Sequence, residues 1–322
     1  MSSPRSSIIR FLKPKYAPTN VNGKEIPNHK NSKAIKVVNG TAAELPFPQS
    51  IKLSKKNMEN TIPGHKTLDA STEINEKLIV NEIDETVFSK KCPSELIDVK
   101  DEDIVIWVDP LDGTTEYAKG ILDCVTVLIG IAVNGKAIAG VIHQPYYNYK
   151  IENDESKIGR TIWGLVGLGA FGYKNLQKTQ AEIENDMLNR NLTFGKNNNF
   201  IIASSKSHRN KQLDKALESL KPSQIINAGG AGYKSLLVLE GQADTYLYPS
   251  PGCKKWDTCA PEAIINSVGG KLTNIMGESY DYKKDVMYNN STGVLACRSE
   301  VLHNWVVNNI PKEVKKSLTS QL

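Results

Sequence analysis

Ile104-Val105-Ile106-Trp107-Val108-Asp109-Pro110-Leu111-Asp112-Gly113-Thr114 is the stretch on which the fold turns. Five apolar residues in succession, two of them β-branched valines, read as a strand buried on both faces, beginning within Asp103–Val108. Asp109 to Thr114 then ends that strand in a turn. Pro110 fixes one backbone angle and Gly113 permits a sharp reversal. This geometry can aim the Asp109 and Asp112 carboxylates and the Leu111 carbonyl at one point. An all-oxygen donor set of this kind suits Mg²⁺, which prefers hard ligands and keeps some of its waters. The Thr114 hydroxyl follows, placed to orient a metal-bound water.

Downstream of this stretch, Cys124–Val133, Asn134-Gly135 and Lys136–Ile142 form a hairpin signal, because Asn-Gly accepts the positive φ angles of a primed turn. Arg160–Val166 and Ala170–Tyr173, separated around Gly167 and Gly169, predict a second strand pair. Downstream, strands are predicted over Phe200–Ser204, Ile225–Asn227, Ala243–Tyr248 and Gly293–Cys297. Helices are predicted over Lys211–Leu220, Tyr233–Glu240, from Asp257 to near Gly269 with Pro261 in the first turn, and over Glu300–Asn309 capped by Ser299. A further helix is predicted over Glu73–Phe88. Strands and helices interleave while hairpins are present, so the fold class is α/β with mixed sheets.

Two more constellations carry chemistry. Asp257, in Gly252-Cys253-Lys254-Lys255-Trp256-Asp257, stands at a helix start. Alone it reads as a helix cap; beside Asp109 and Asp112 it reads as a third metal carboxylate. Ser205-Lys206-Ser207-His208 and Gly229-Gly230-Ala231-Gly232-Tyr233-Lys234 form the other. A glycine-rich turn before a helix offers backbone N–H groups at the positive end of the helix dipole, where phosphate binds. Lys234 adds a point charge, and His208 a hydrogen-bond donor.

Composition bounds the class. Hydrophobic residues make up 39% of 322 and charged residues 23%, an ordinary soluble mixture with material for a sizeable core. The apolar run Val125–Val133 is about half of the ~20 residues that a membrane-spanning helix needs, so no membrane association is expected. The net charge of +5 divides unevenly: residues 1–66 carry 12 Lys/Arg against 3 Asp/Glu, and the rest 28 against 32. With no zinc-finger or RNA-binding signature, nucleic acid is not an expected partner. Cys92, Cys124, Cys253, Cys259 and Cys297 match no zinc spacing and read as free thiols of a cytoplasmic protein. The alternative location is mitochondrial, since the acid-free first 24 residues, with Arg5, Arg10, Lys13 and Lys15, resemble a transit peptide. The expected organisation is a basic, irregular segment over 1–67 rich in proline, a catalytic domain over 68–311, and a tail over 312–322.

The Asp-Pro-Leu-Asp-Gly-Thr string followed by a distant Trp256-Asp257 resembles the lithium-sensitive, Mg²⁺-dependent phosphatases of the inositol monophosphatase superfamily. Within it, Ile142–Tyr149, Gly159–Gly164 and Pro249–Glu262 resemble the 3'(2'),5'-bisphosphate nucleotidases. The resemblance runs from about Leu68 to Pro311. It implies a layered αβαβα sandwich without the family's usual N-terminal helices and hairpin. It implies Mg²⁺-dependent hydrolysis of 3'-phosphoadenosine 5'-phosphate to AMP and phosphate, with inositol 1,4-bisphosphate as a further substrate. Separately from the resemblance, a monomer is expected. Asp109, Asp112, Asp257 and the Leu111 carbonyl match metal ligands, and Thr114 matches a water-activating residue. Ser205, His208, Gly230 and Lys234 match nucleotide-holding positions, where a Thr is more usual at the first.

Two strings of the family are missing: a Thr-x-Ala-Asp whose Asp pairs with the threonine, and a Gly-Glu-Glu whose first Glu bridges metals. No Asp precedes Asp69, and the acids before it are Glu25, Glu44 and Glu59, none in a Glu-Glu pair. Losing a water-activating acid costs on the order of 10²–10⁴ in rate. The readings that compete with an active nucleotidase are therefore an inositol polyphosphate 1-phosphatase and a catalytically impaired nucleotide-binding protein.

Overall fold

The computed structural model describes residues 37–39, 91–154, 157–173, 200–205 and 210–319. The helix expected over Glu73–Phe88, and His208, lie outside them. Strand β1 (Val37–Asn39) pairs in parallel with β2 (Ile104–Asp112), so the segment read as irregular contributes at least one strand. After the short helix α1 (Thr114–Ala118), β3 (Thr126–Val133), β4 (Lys136–Gln144), β5 (Arg160–Leu165) and β6 (Gly169–Phe171) follow as an antiparallel meander. The six strands form one sheet in chain order. The β3–β4 turn has φ of 51° at Asn134 and 80° at Gly135, the two positive angles that its sequence predicts.

The second half is built around another sheet. Its elements are β7 (Ile201–Ser205), α2 (Lys211–Leu220), β8 (Gln224–Ala228), α3 (Ala231–Leu239), β9 (Thr245–Tyr248), β10 (Cys253–Lys254) and α4 (Lys255–Ser267). Then come β11 (Lys271–Thr273), β12 (Asn289–Asn290), β13 (Val294–Cys297), α5 (Glu300–Asn309) and α6 (Lys312–Thr319). The strand order is β11-β13-β9-β7-β8, with β7 parallel to both neighbours; β10 and β12 form a separate two-stranded ribbon. Residues from 312, expected as a tail, instead form α6, which buries Val314 and Leu318. Asn210 caps α2 by accepting from Leu213 N at 2.8 Å, and Ser299 caps α5 by accepting from Leu302 N at 3.2 Å.

Helices α3 and α4 lie between the two sheets. One apolar cluster joins Val105, Trp107 and Ala132 of the first sheet through Cys259 and Ala263 of α4 to Tyr246 and Ala296 of the second. On the second sheet's far face, α2, α5 and α6 bury Leu213, Leu302 and Leu318 against Ile202, Leu247 and Leu295. Sheet, helices, sheet and helices thus stack as four layers of an αβαβα sandwich.

The seat of α4 is a row of glycines. Gly130, Gly140 and Gly164 are cross-strand neighbours on β3, β4 and β5. A Cβ added at these places would lie 2.6 Å from Cys259 Cβ, 2.4 Å from the Ala260 carbonyl oxygen and 2.8 Å from Ser267 Oγ. Only a row without side chains lets the helix backbone settle this close to the sheet. Gly140→Ala therefore forces α4 off its seat. The expected cost is about 1–3 kcal/mol of overpacking, read as a fall of several degrees in the thermal melt. The helix starts at Lys255 rather than Asp257, so Pro261 falls in its second turn, not its first. A proline there removes the N–H that would bond to the Asp257 carbonyl.

His303 of α5 is 1% exposed, and its Nε2 meets Thr273 Oγ1 at 2.7 Å. Burial pushes its pKa from 6.5 down to about 4. The folded state therefore favours the neutral ring. This contribution to stability is complete above pH 6.5 and is lost as pH falls toward 4. The loss amounts to about 3 kcal/mol at most. Melts at pH 7.5 and 4.5 are expected to differ less in His303→Gln than in the wild type.

Candidate active site

Residues three apart on a regular strand point to opposite faces. Asp109 and Asp112 escape that rule through a bulge. Asp109 pairs with Leu128 and Asp112 with Thr126, so three steps along β2 oppose two along β3. The extra residue restores parity and turns both carboxylates to one side. Exposed Pro110, which has no N–H to leave unpaired, fits the irregular place. Leu111 N donates to Asp109 Oδ1 at 3.0 Å. The strand thus runs on to Asp112 instead of ending at Val108, and Gly113 (φ +82°) then turns the chain into α1, with Thr114 as its first residue.

Asp112 is the most heavily bonded of the carboxylates. It accepts from Thr126 Oγ1 at 2.6 Å, Ala231 N at 2.9 Å and Gly232 N at 2.8 Å. It therefore sits at the positive N-terminus of α3. Two N–H groups that the sequence offered to a phosphate are occupied by Asp112 instead. Close approach explains the glycines: a Cβ at Gly232 would lie 2.4 Å from Thr126 Oγ1, and Gly230 adopts φ +67°.

Asp257 arrives from α4. Its Oδ2 accepts from Lys254 N at 2.7 Å, so the helix-capping role holds while the carboxylate also faces the other two. Ligand atoms of Asp109, Asp112 and Asp257 lie within 4.8 Å of one another. Burial, then repulsion from Asp112, raises the Asp109 carboxyl to about 6 and the Asp257 carboxyl to about 8. Three carboxylates this close and this buried carry more negative charge than the nearby Lys234 ammonium offsets, and a divalent cation held by their oxygens would supply the rest.

Asp112, Thr114, Ser205, Gly230, Lys234 and Asp257 line one cleft. Lys234 is buried; its Nζ donates to the Gly230 carbonyl at 2.6 Å and lies 5.0 Å from the Tyr246 ring centroid. Burial pushes its pKa down, opposed chiefly by Asp112. Leu111 stands half-buried in the bulge between the two β2 carboxylates. Glu116, Tyr246, Tyr248 and Cys253 also line the cleft and were not foreseen. Glu116 carried a signal, being an acid two residues past Thr114; its buried side chain packs against Gly229. The tyrosines carried none, because alternate aromatics on β9 read as core.

No helix among the described residues is long and apolar enough to cross a membrane. The inositol monophosphatase family model matches residues 30–315, so the matching region begins upstream of Leu68, where the recognisable motifs stop. Human 3'(2'),5'-bisphosphate nucleotidase 1 is 46% identical over 266 residues, 83% of this chain and 80% of its own length. The Dictyostelium discoideum protein of the same name is 42% identical over 61% of this chain and 60% of its own length. Inositol monophosphatase II of Staphylococcus aureus is 19% identical, with a TM-score of 0.49 over 68% of this chain and 71% of that one. The family model over residues 30–315 and the 46%-identical human relative show that the chain belongs to the inositol monophosphatase family of phosphatases.

Proposed function

We propose that the protein is a Mg²⁺-dependent phosphatase that removes a phosphate from 3'(2'),5'-bisphosphate nucleotides, converting 3'-phosphoadenosine 5'-phosphate to AMP. The observation that carries this reading is the convergence of Asp109, Asp112 and Asp257 at the cleft that Thr114, Ser205, Gly230 and Lys234 line. The names of the relatives support the choice of nucleotide.

In this reading the three carboxylates and the Leu111 carbonyl hold Mg²⁺. Bound there, the ion would neutralise phosphoryl charge and make an attacking water more acidic. The chain's own residues do the rest. Thr114, exposed at the start of α1, presents its hydroxyl to orient the water. The Lys234 ammonium, fixed by the Gly230 carbonyl, attracts phosphate. Ser205, at the end of β7, supplies a hydroxyl to the nucleotide, and His208 a ring N–H. Asp112 joins β2 to α3, so the metal-holding and phosphate-holding walls move as one body. Cytoplasm is the proposed location: none of the five cysteines, all among the described residues, is in a disulfide.

The test compares turnover of 3'-phosphoadenosine 5'-phosphate with that of inositol 1,4-bisphosphate at equal enzyme and Mg²⁺. The nucleotide is expected to have the higher kcat/KM. The reverse order would replace this reading with an inositol polyphosphate phosphatase.

A further inference from the structure

We infer that Asn290 is the residue that positions Asp257. The inference rests on Asp257 being a metal carboxylate. The turn that carries Asp257 lacks one of its own restraints, because Pro261 offers no N–H to the Asp257 carbonyl. The β10–β12 ribbon supplies others from outside the helix. Asn290 pairs with Cys253 across the ribbon, and its side chain is 2% exposed. Its Nδ2 donates to the Lys254 carbonyl at 2.9 Å and to Thr258 Oγ1 at 3.0 Å. These acceptors flank Asp257, three residues before it and one after.

Lys254 is therefore gripped on both sides. Its carbonyl accepts from Asn290, and its N–H donates to Asp257 Oδ2 at 2.7 Å. A shift of Asn290 is passed through Lys254 to the carboxylate. Two further bonds lock the same turn: Lys255 N donates to the Tyr288 carbonyl at 2.8 Å, and Tyr282 Oη donates to Thr258 Oγ1 at 3.1 Å. The other half of the Asn290 amide gains nothing from its place, since Oδ1 is buried without a hydrogen-bond partner among the described residues. An unmet buried acceptor lowers stability. The amide is thus poorly suited to the core and well suited to fixing one turn.

The probe is Mn²⁺, titrated into the full chain and followed by the electron paramagnetic resonance of the free ion. Asn290→Leu fills the same space without either hydrogen bond, and Asn290→Ala is the second variant. Groups that orient a metal ligand typically change affinity by about 10–100-fold when removed. Either variant is expected to bind Mn²⁺ about tenfold more weakly, with a melting temperature within a few degrees of the wild type. Asn289→Ala, one residue away on the same strand, is expected to bind as the wild type does. Asp257→Ala is expected to bind much more weakly than any of these. Unchanged Mn²⁺ affinity in a folded Asn290 variant, with affinity lost in Asp257→Ala, would overturn this inference and leave the metal site standing. A wild-type chain that binds no Mn²⁺ would overturn both.

Discussion

Asp112→Asn is expected to lower phosphate release on the order of 10³-fold, the scale of losing a preorganised electrostatic partner at a reacting centre. The substitution keeps size and changes two things. It removes one of three charges available to a divalent cation. It also places an amide where Ala231 N, Gly232 N and Thr126 Oγ1 all donate. Only one of the two asparagine terminal atoms accepts, so at least one of these donors loses its partner. The start of α3 then loosens together with Gly230 and Lys234. Phosphate release at saturating Mg²⁺ and at saturating substrate separates the two effects. A metal defect alone would be partly restored by added cation; displacement of α3 would not. Activity within tenfold of the wild type would remove Asp112 from the site.

Glu240→Ala is expected to destabilise the fold by about 3–5 kcal/mol, the scale of breaking a buried ion pair on one side. Arg160 and Glu240 have 13% and 4% of their side-chain surface exposed and form two hydrogen bonds, one of them Nη2 to Oε2 at 3.1 Å. Arg160 Nε also donates to Gln144 Oε1 at 2.6 Å, and the guanidinium lies 4.0 Å from the Tyr147 ring centroid. Glu240 ends α3, so the pair ties the far end of the helix that carries Lys234 to β5. Removing the carboxylate strands a buried cation. A drop of about 10 °C in the melt is expected from the usual conversion for domains of this size. The double replacement Arg160→Met with Glu240→Leu is expected to recover much of the loss, because it leaves no unpaired charge. A melt unchanged in Glu240→Ala would show that water already screens the pair.

Local signals were legible where one stretch of chain determines its own geometry. Asn134-Gly135 announced its turn, Lys211–Leu220 its amphipathic helix and Ser299 its cap. The carboxylates were legible as a set because metal chemistry restricts residue types strongly. The bulge was not, since a register slip depends on the partner strand, and Asp109 to Thr114 alone reads as a turn. Arg160 was visible only as part of a familiar string. Its partner Glu240 is 80 residues away, a separation at which sequence periodicity carries no information. The glycine row had the same character: Gly130, Gly140 and Gly164 look like isolated strand glycines until the sheet aligns them under α4. The Gly229–Gly232 turn lines the same cleft as Asp112 and Asp257, but two of the N–H groups that its sequence offered to a phosphate donate to Asp112.

This chain, with the carboxylates it has, is expected to hydrolyse a bisphosphate nucleotide. The deciding measurement is phosphate release from 3'-phosphoadenosine 5'-phosphate by the full chain with Mg²⁺, beside Asp257→Ala. Turnover by the wild type, abolished in an Asp257→Ala protein with an intact cooperative melt, is the predicted result. A folded wild-type chain that binds the nucleotide and releases no phosphate would contradict it, and would make the protein a nucleotide-binding member of a phosphatase family.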